Sequence, residues 1–162
     1  MQALRLHPGD ELMSGLVEYC AECGLSSAYV ATCVGSLTSV TIRLANADRE
    51  KPNEILTVNN KRFEIVSLVG TVCADGAHVH ISVADSTGKC LGGHLISATV
   101  FTTAEIVVGT VEQKRFRRVF DDATGFDELV VDSSSTRTIG TALLFSGTLL
   151  LLIAAAKKRC DR

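Results

Sequence analysis

The sequence has no tryptophan, only two prolines, 5% aromatic residues and no excess of either charge, its formal net charge being -2. That near-neutral balance excludes the basic footprint of non-specific nucleic-acid binding, which needs clustered Lys and Arg to neutralise phosphates. The N-terminus, MQALRLHPGDEL, lacks the apolar core of a secretory signal and the Arg/Ser-rich pattern of a transit peptide, so the N-terminal domain is expected in the cytosol. No second C-x-x-C accompanies Cys20 and Cys23 to complete a zinc ribbon, and no βαβ context supports a thioredoxin-like motif. The six cysteines are therefore expected to be reduced, with Cys20 and Cys23 as buried structural residues. G-x-S-x-G, HExxH and a phosphate-binding glycine loop are also missing, so no familiar catalytic signature names a reaction.

What is present is a globular balance. The chain is 162 residues long, 46% apolar and 21% charged, enough for one domain with a core that needs no disulfide staples. Residues 8–24 read as a helix: Pro8 and Gly9 lead in, Asp10 caps, Leu12, Met13, Leu16, Val17 and Cys20 make an apolar stripe, and Gly24 ends it. From Ala28 onward, AYVATCV, SVTIRLA and EILTV predict three strands, separated by Gly35-Ser36 and by the polar residues 46–53. Turns at Asn59-Asn60, Ala74-Asp75-Gly76 and Ser86-Thr87-Gly88 punctuate hairpins, and residues 92–98 leave room for a short helix. The expected class is α+β, a mainly antiparallel β-sheet flanked by a few helices.

After residue 132 the character changes. The pattern divides the chain into a domain over 1–132, a polar linker over 133–138, a hydrophobic segment over 139–156 and a basic tail over 157–162. Residues 138–156 carry no charge, a length that can cross a hydrocarbon core, and 149–156 is apolar all round, unlike a surface-packed helix. A C-terminal hydrophobic helix acting as a membrane anchor is therefore expected over a buried helix. The domain would then sit on the cytoplasmic face of a membrane, the alternative being a soluble cytoplasmic or nuclear protein. The basic tail runs against the positive-inside rule for that orientation.

Three of the four histidines fall within seventeen residues. In HVHISVAD, alternation sends Val79, Ile81 and Val83 to one face and His78, His80 and Ser82 to the other, with the imidazoles about 7 Å apart along the strand. His94 follows Gly92-Gly93, where missing side chains let the backbone approach another element. Three neutral imidazoles suit a Zn²⁺-type ion and leave its fourth position open. The bland alternative is that they solvate a surface. Glu64 and Glu105 are the available carboxylates for proton handling, and no spacing argument singles out either.

The ordered set RLHPGDEL (5–12), GLSSAYVATCVGSL (24–37), RFEIVSLVGTV (62–72), GAHVHISVAD (76–85), GKCLGGHL (88–95), TAEIVV (103–108) and FRRVFDDATGFDEL (116–129) resembles the PPC domain, conserved between plants and prokaryotes. The resemblance covers nearly all of residues 3–131. It implies an antiparallel sheet flanked by helices, a homotrimer, and a metal site formed by His78, His80 and His94. In plants the domain belongs to AT-hook nuclear proteins, where it supports self-association and contacts with protein partners. The plant segment Gly-Arg-Phe-Glu-Ile corresponds to Lys61-Arg62-Phe63-Glu64-Ile65, with the glycine replaced, and the Arg-Gly-Arg-Pro hook is missing altogether. Direct DNA binding is therefore not carried over. Lys114-Arg115 and Arg117-Arg118, bordered by Glu112, Asp121 and Asp122, read as a solvated strand end or a trimer contact. The expected function is a non-enzymatic oligomerisation and interaction module with a metal or small-ligand site. The alternatives are a zinc-dependent enzyme on a small molecule and, disfavoured, a nuclear DNA-associated regulator.

Overall fold

The structure, a computed structural model, describes residues 1–45 and 53–133. The elements are β1 (Gln2–Leu6), α1 (Leu12–Glu22), β2 (Ala28–Arg43), β3 (Ile55–Val58), β4 (Phe63–Cys73), β5 (Gly76–Ala84), β6 (Cys90–Thr110), β7 (Lys114–Asp121) and β8 (Phe126–Ser133). Six strands form one antiparallel sheet in the order β1-β6-β5-β4-β2-β3, and β6 also pairs with β2. Since β6 holds both β5 and β2, the strands β2, β4, β5 and β6 close on themselves into a barrel-like sheet, which satisfies edges that an open sheet would expose. β7 and β8 form a separate two-stranded sheet.

Alternation along the long strands fills the interior. Leu37, Val40 and Ile42 from β2, Phe63 and Leu68 from β4, Val79 and Val83 from β5, and Leu95 and Ile106 from β6 are buried in one cluster. α1 closes it by burying Leu12, Leu16 and Cys20. Burial pushes the Cys20 thiol up to about 11, so it packs as a small apolar residue, as expected, whereas Cys23 is half-buried and disulfide-bonded, against the expectation that it is buried and reduced.

Four further expectations need correction. The helix is shorter than 8–24 and is capped by Glu11, whose carboxylate accepts from the amides of Met13 and Ser14 and from Ala98 of β6. Asp10 instead accepts from the His7 amide, closing the turn upstream. AYVATCV and SVTIRLA are parts of one strand, β2, with register irregularities beside Gly35. Gly35 takes φ +149°, and a Cβ there would collide with the Thr103 carbonyl, so this glycine lets two strands cross closely where a break was expected. Residues 92–98 lie inside β6 and not in a helix, because their backbone is committed to pairing with β5 and β2. Finally, α1 is the sole α-helix among the described residues, so the sheet has one helical cover instead of a few.

β8 ends at Ser133, the first residue of the expected linker. The rest of that linker, the hydrophobic segment 139–156 expected as a C-terminal helix and anchor, and the tail 157–162 lie outside the described residues. Among the described residues no helix is long and apolar enough to cross a membrane.

Candidate metal centre

His78 and His80 stand on β5, whose alternate residues Val79, Ile81 and Val83 are buried at 0%, 3% and 0% exposure. The polar face therefore points out of the barrel, as the sequence predicts. β6 brings His94 directly opposite His80 in the antiparallel register, and β2 places Arg43 opposite His94 on its other side. The two glycines before His94 make this crossing possible. A Cβ on Gly92 would lie 2.7 Å from the Ile81 carbonyl oxygen, and one on Gly93 2.5 Å from that of Arg43, both inside any real contact distance.

The three rings meet. Their centroids are 5.0 Å apart for His78 and His80, 4.9 Å for His78 and His94, and 5.6 Å for His80 and His94. The Nε2 atoms of His78 and His80 are 3.0 Å apart, and one ring nitrogen from each histidine lies within 4.8 Å of the others. A tetrahedral ion with bonds of about 2.0–2.1 Å holds neighbouring ligands about 3.3 Å apart, so small rotations of the rings complete the set. The chemistry of the donors fits as well. His94 Nδ1 is buried and makes no hydrogen bond among the described residues, an arrangement that costs free energy unless something engages the ring. Burial, then Arg43, then His78 and His80 hold the His94 imidazole down at about 4, leaving it neutral and able to ligate at ordinary pH. His78 is also lowered, by burial first, then His80 and Arg118, with Glu128 opposing.

Around the rings runs a cleft of about 390 Å³, with Arg43, Asp75, Arg118, Phe126, Asp127 and Glu128 among its walls. Sequence reasoning missed these residues. Arg118 was grouped with Arg117 in a solvated patch, and Arg117 does pair with Asp132 at the surface, at 2.6 Å. Arg118 is the next residue on the strand and faces the other way, donating from Nη2 to Thr71 Oγ1 at 2.5 Å. The signal was available in KRFRRV: Phe116 and Arg118 are two apart and share a face, and Phe116 is buried. The carboxylates considered from the sequence lie elsewhere. Glu105 pairs in register with Arg5 on β1 and Val34 on β2 and lines a different cleft, and Glu64 is exposed beside Ser36 and Ala84.

Comparison with known proteins agrees with this geometry. Residues 1–112 match the profile of the Plants and Prokaryotes Conserved (PCC) domain, the domain called PPC above. A bifunctional protein GlmU from Synechococcus sp. (strain JA-3-3Ab) is 38% identical over 136 residues, which are 83% of this chain; the chain spans about a fifth, 21%, of that relative. Among solved structures, a hypothetical protein from Salmonella enterica superposes with a TM-score of 0.73 at 38% identity, covering 81% of this chain and 91% of the other. A protein of Ralstonia eutropha, provisionally named as DNA-binding, gives 0.69 at 26% identity, covering 79% and 89%. A metal-containing protein from Archaeoglobus fulgidus gives 0.68 at 27% identity, covering 79% and 91%. The profile match takes in the H-x-H of β5, the G-G-H of β6 and the barrel that brings them together, and on that ground the chain belongs to the Plants and Prokaryotes Conserved (PCC) domain family.

Proposed function

We propose that the chain is a homotrimeric oligomerisation and interaction module that holds a divalent ion of the Zn²⁺ type through His78, His80 and His94. The observation that carries the metal reading is the convergence of three imidazoles, one of them with a buried nitrogen that nothing else among the described residues engages. When bound, the ion supplies a positive centre with one position left open. The chain's own residues do the rest. Neutral His78 and His94 present lone pairs at ordinary pH, the β5–β6 register sets their separation, and the glycine crossing fixes the strand that carries His94. The metal-containing neighbour from Archaeoglobus supports the reading.

Self-association is supported by apolar side chains left outside the barrel. Val34, Val66, Val69 and Ile96, on β2, β4 and β6, are each at least 41% exposed, and a subunit contact would cover them. The name of the Ralstonia neighbour favours DNA, but the net charge of -2 and the missing hook weigh against it here. The apolar run 139–156 supports attachment to the cytoplasmic face of a membrane.

A zinc-dependent enzyme acting on a small molecule is the second reading, favoured by one observation. Glu128 is a half-buried carboxylate in the histidine cleft, close enough to His78 to oppose the lowering of its pKa, and it supplies the proton-handling group that Glu64 and Glu105 do not. Metal analysis of the purified full chain tests the site itself. One ion per chain is expected, and at least about a hundredfold loss of affinity in the His78→Ala/His94→Ala variant. Metal-free protein, or equal metal content in the variant, removes both readings.

A further inference from the structure

Two guanidinium groups flank the histidine cluster from strands that the sequence keeps far apart. Arg43 on β2 is the register partner of His94, and its guanidinium lies 4.9 Å from the Phe126 ring centre. Arg118 on β7 is tied to Thr71, the register partner of His78. Each arginine therefore stands beside one end of the cluster. Neither forms an ion pair with a carboxylate among the described residues, and Arg118 Nε is buried with no hydrogen-bond partner. A buried N–H of a permanently charged group costs free energy when left unmatched, so the cleft lacks an acceptor.

We propose that this cleft binds a small monocarboxylate, its carboxyl group shared between the open position of the ion held by the three histidines and the guanidinium groups of Arg118 and Arg43. The inference rests on the metal reading above. A guanidinium presents paired donors that match the two oxygens of a carboxylate in one plane. Charge selects the class further. A divalent ion and two arginines face Asp75, Asp127 and Glu128 on the same walls, leaving one net positive charge, which a carboxylate balances and a phosphate dianion exceeds. The volume, about 390 Å³, lies at the small end of ligand sites, and the Phe126 ring offers an apolar wall for the carbon portion.

The test uses the full chain loaded with Co²⁺, whose visible absorption reports its ligands, titrated separately with acetate and with inorganic phosphate. Acetate is expected to change the spectrum saturably. Arg118→Gln and Arg43→Gln are each expected to keep their cobalt and bind acetate roughly tenfold more weakly. Arg43→Gln covers the case in which losing the Arg118 tie to Thr71 disturbs folding. A cobalt spectrum unmoved by acetate, acetate affinity unchanged from the parent in both variants, or a stronger response to phosphate overturns the carboxylate assignment and leaves the metal site standing. A chain that takes up no cobalt overturns both.

Discussion

The larger of the two clefts, about 960 Å³ between α1, β1 and the far half of β6, sets five carboxylates against one arginine, whereas the smaller histidine cleft sets three imidazoles and two guanidinium groups against three carboxylates. Several polar groups of the first are occupied with holding the fold. Glu11 caps α1, Asp10 closes a turn, Tyr19 donates to the Ala3 carbonyl and Arg5 to Thr103. Even the fourth histidine, His7, stands there beside Asp10 at 3.8 Å. In the second cleft, nitrogens of His94 and Arg118 are buried without partners among the described residues. Volume favours the first cleft as a binding site, whereas convergence of unsatisfied donors and acceptors favours the second, on which the proposed site rests.

That contrast says changes on the helical side act on stability and leave the metal alone, and three substitutions probe it in order of expected effect on stability. Leu16→Ala empties a fully buried position under α1 and should cost about 2–5 kcal/mol in chemical denaturation, with one metal ion per chain retained. If metal affinity fell in step, the two regions would be one cooperative site. Glu11→Ala removes the carboxylate that joins the start of α1 to the Ala98 amide; a loss of about 1–2 kcal/mol is expected, again with metal binding unchanged. His80→Ala is the mirror case. Its ring is exposed, so metal-free protein should unfold within about 0.5 kcal/mol of the parent, while metal affinity drops at least about a hundredfold. A large stability loss in metal-free His80→Ala would mean that the cluster supports the barrel.

The three histidines proposed as ligands were legible in the sequence because local rules place them. The period of two along β5 separates Val79, Ile81 and Val83 from His78 and His80, and Gly92-Gly93 announces the close crossing that delivers His94. The hairpin turns were legible for the same reason, with Gly76 and Gly88 both at positive φ. The walls of the cleft were not. Arg43, Arg118 and Glu128 come from β2, β7 and β8, and only closure of the barrel and the placing of the last hairpin bring them to the histidines. The short helix over 92–98 failed because tertiary pairing overrides a weak local reading. The split of β2 failed because a glycine that lets strands cross looks the same in sequence as one that ends a strand.

The hairpin of β7 and β8 shares no ladder with the barrel. Its footing is the buried Ser27 hydroxyl, which donates to the Lys114 carbonyl and accepts from the Phe116 amide, together with the Phe116 side chain and the link from Arg118 to Thr71. One wall of the cleft thus rests on side chains, while the histidines rest on backbone pairing. Parting this wall from the rings would break side-chain contacts and no strand ladder, so a guest of the kind proposed would exchange on a timescale separate from the opening of the barrel.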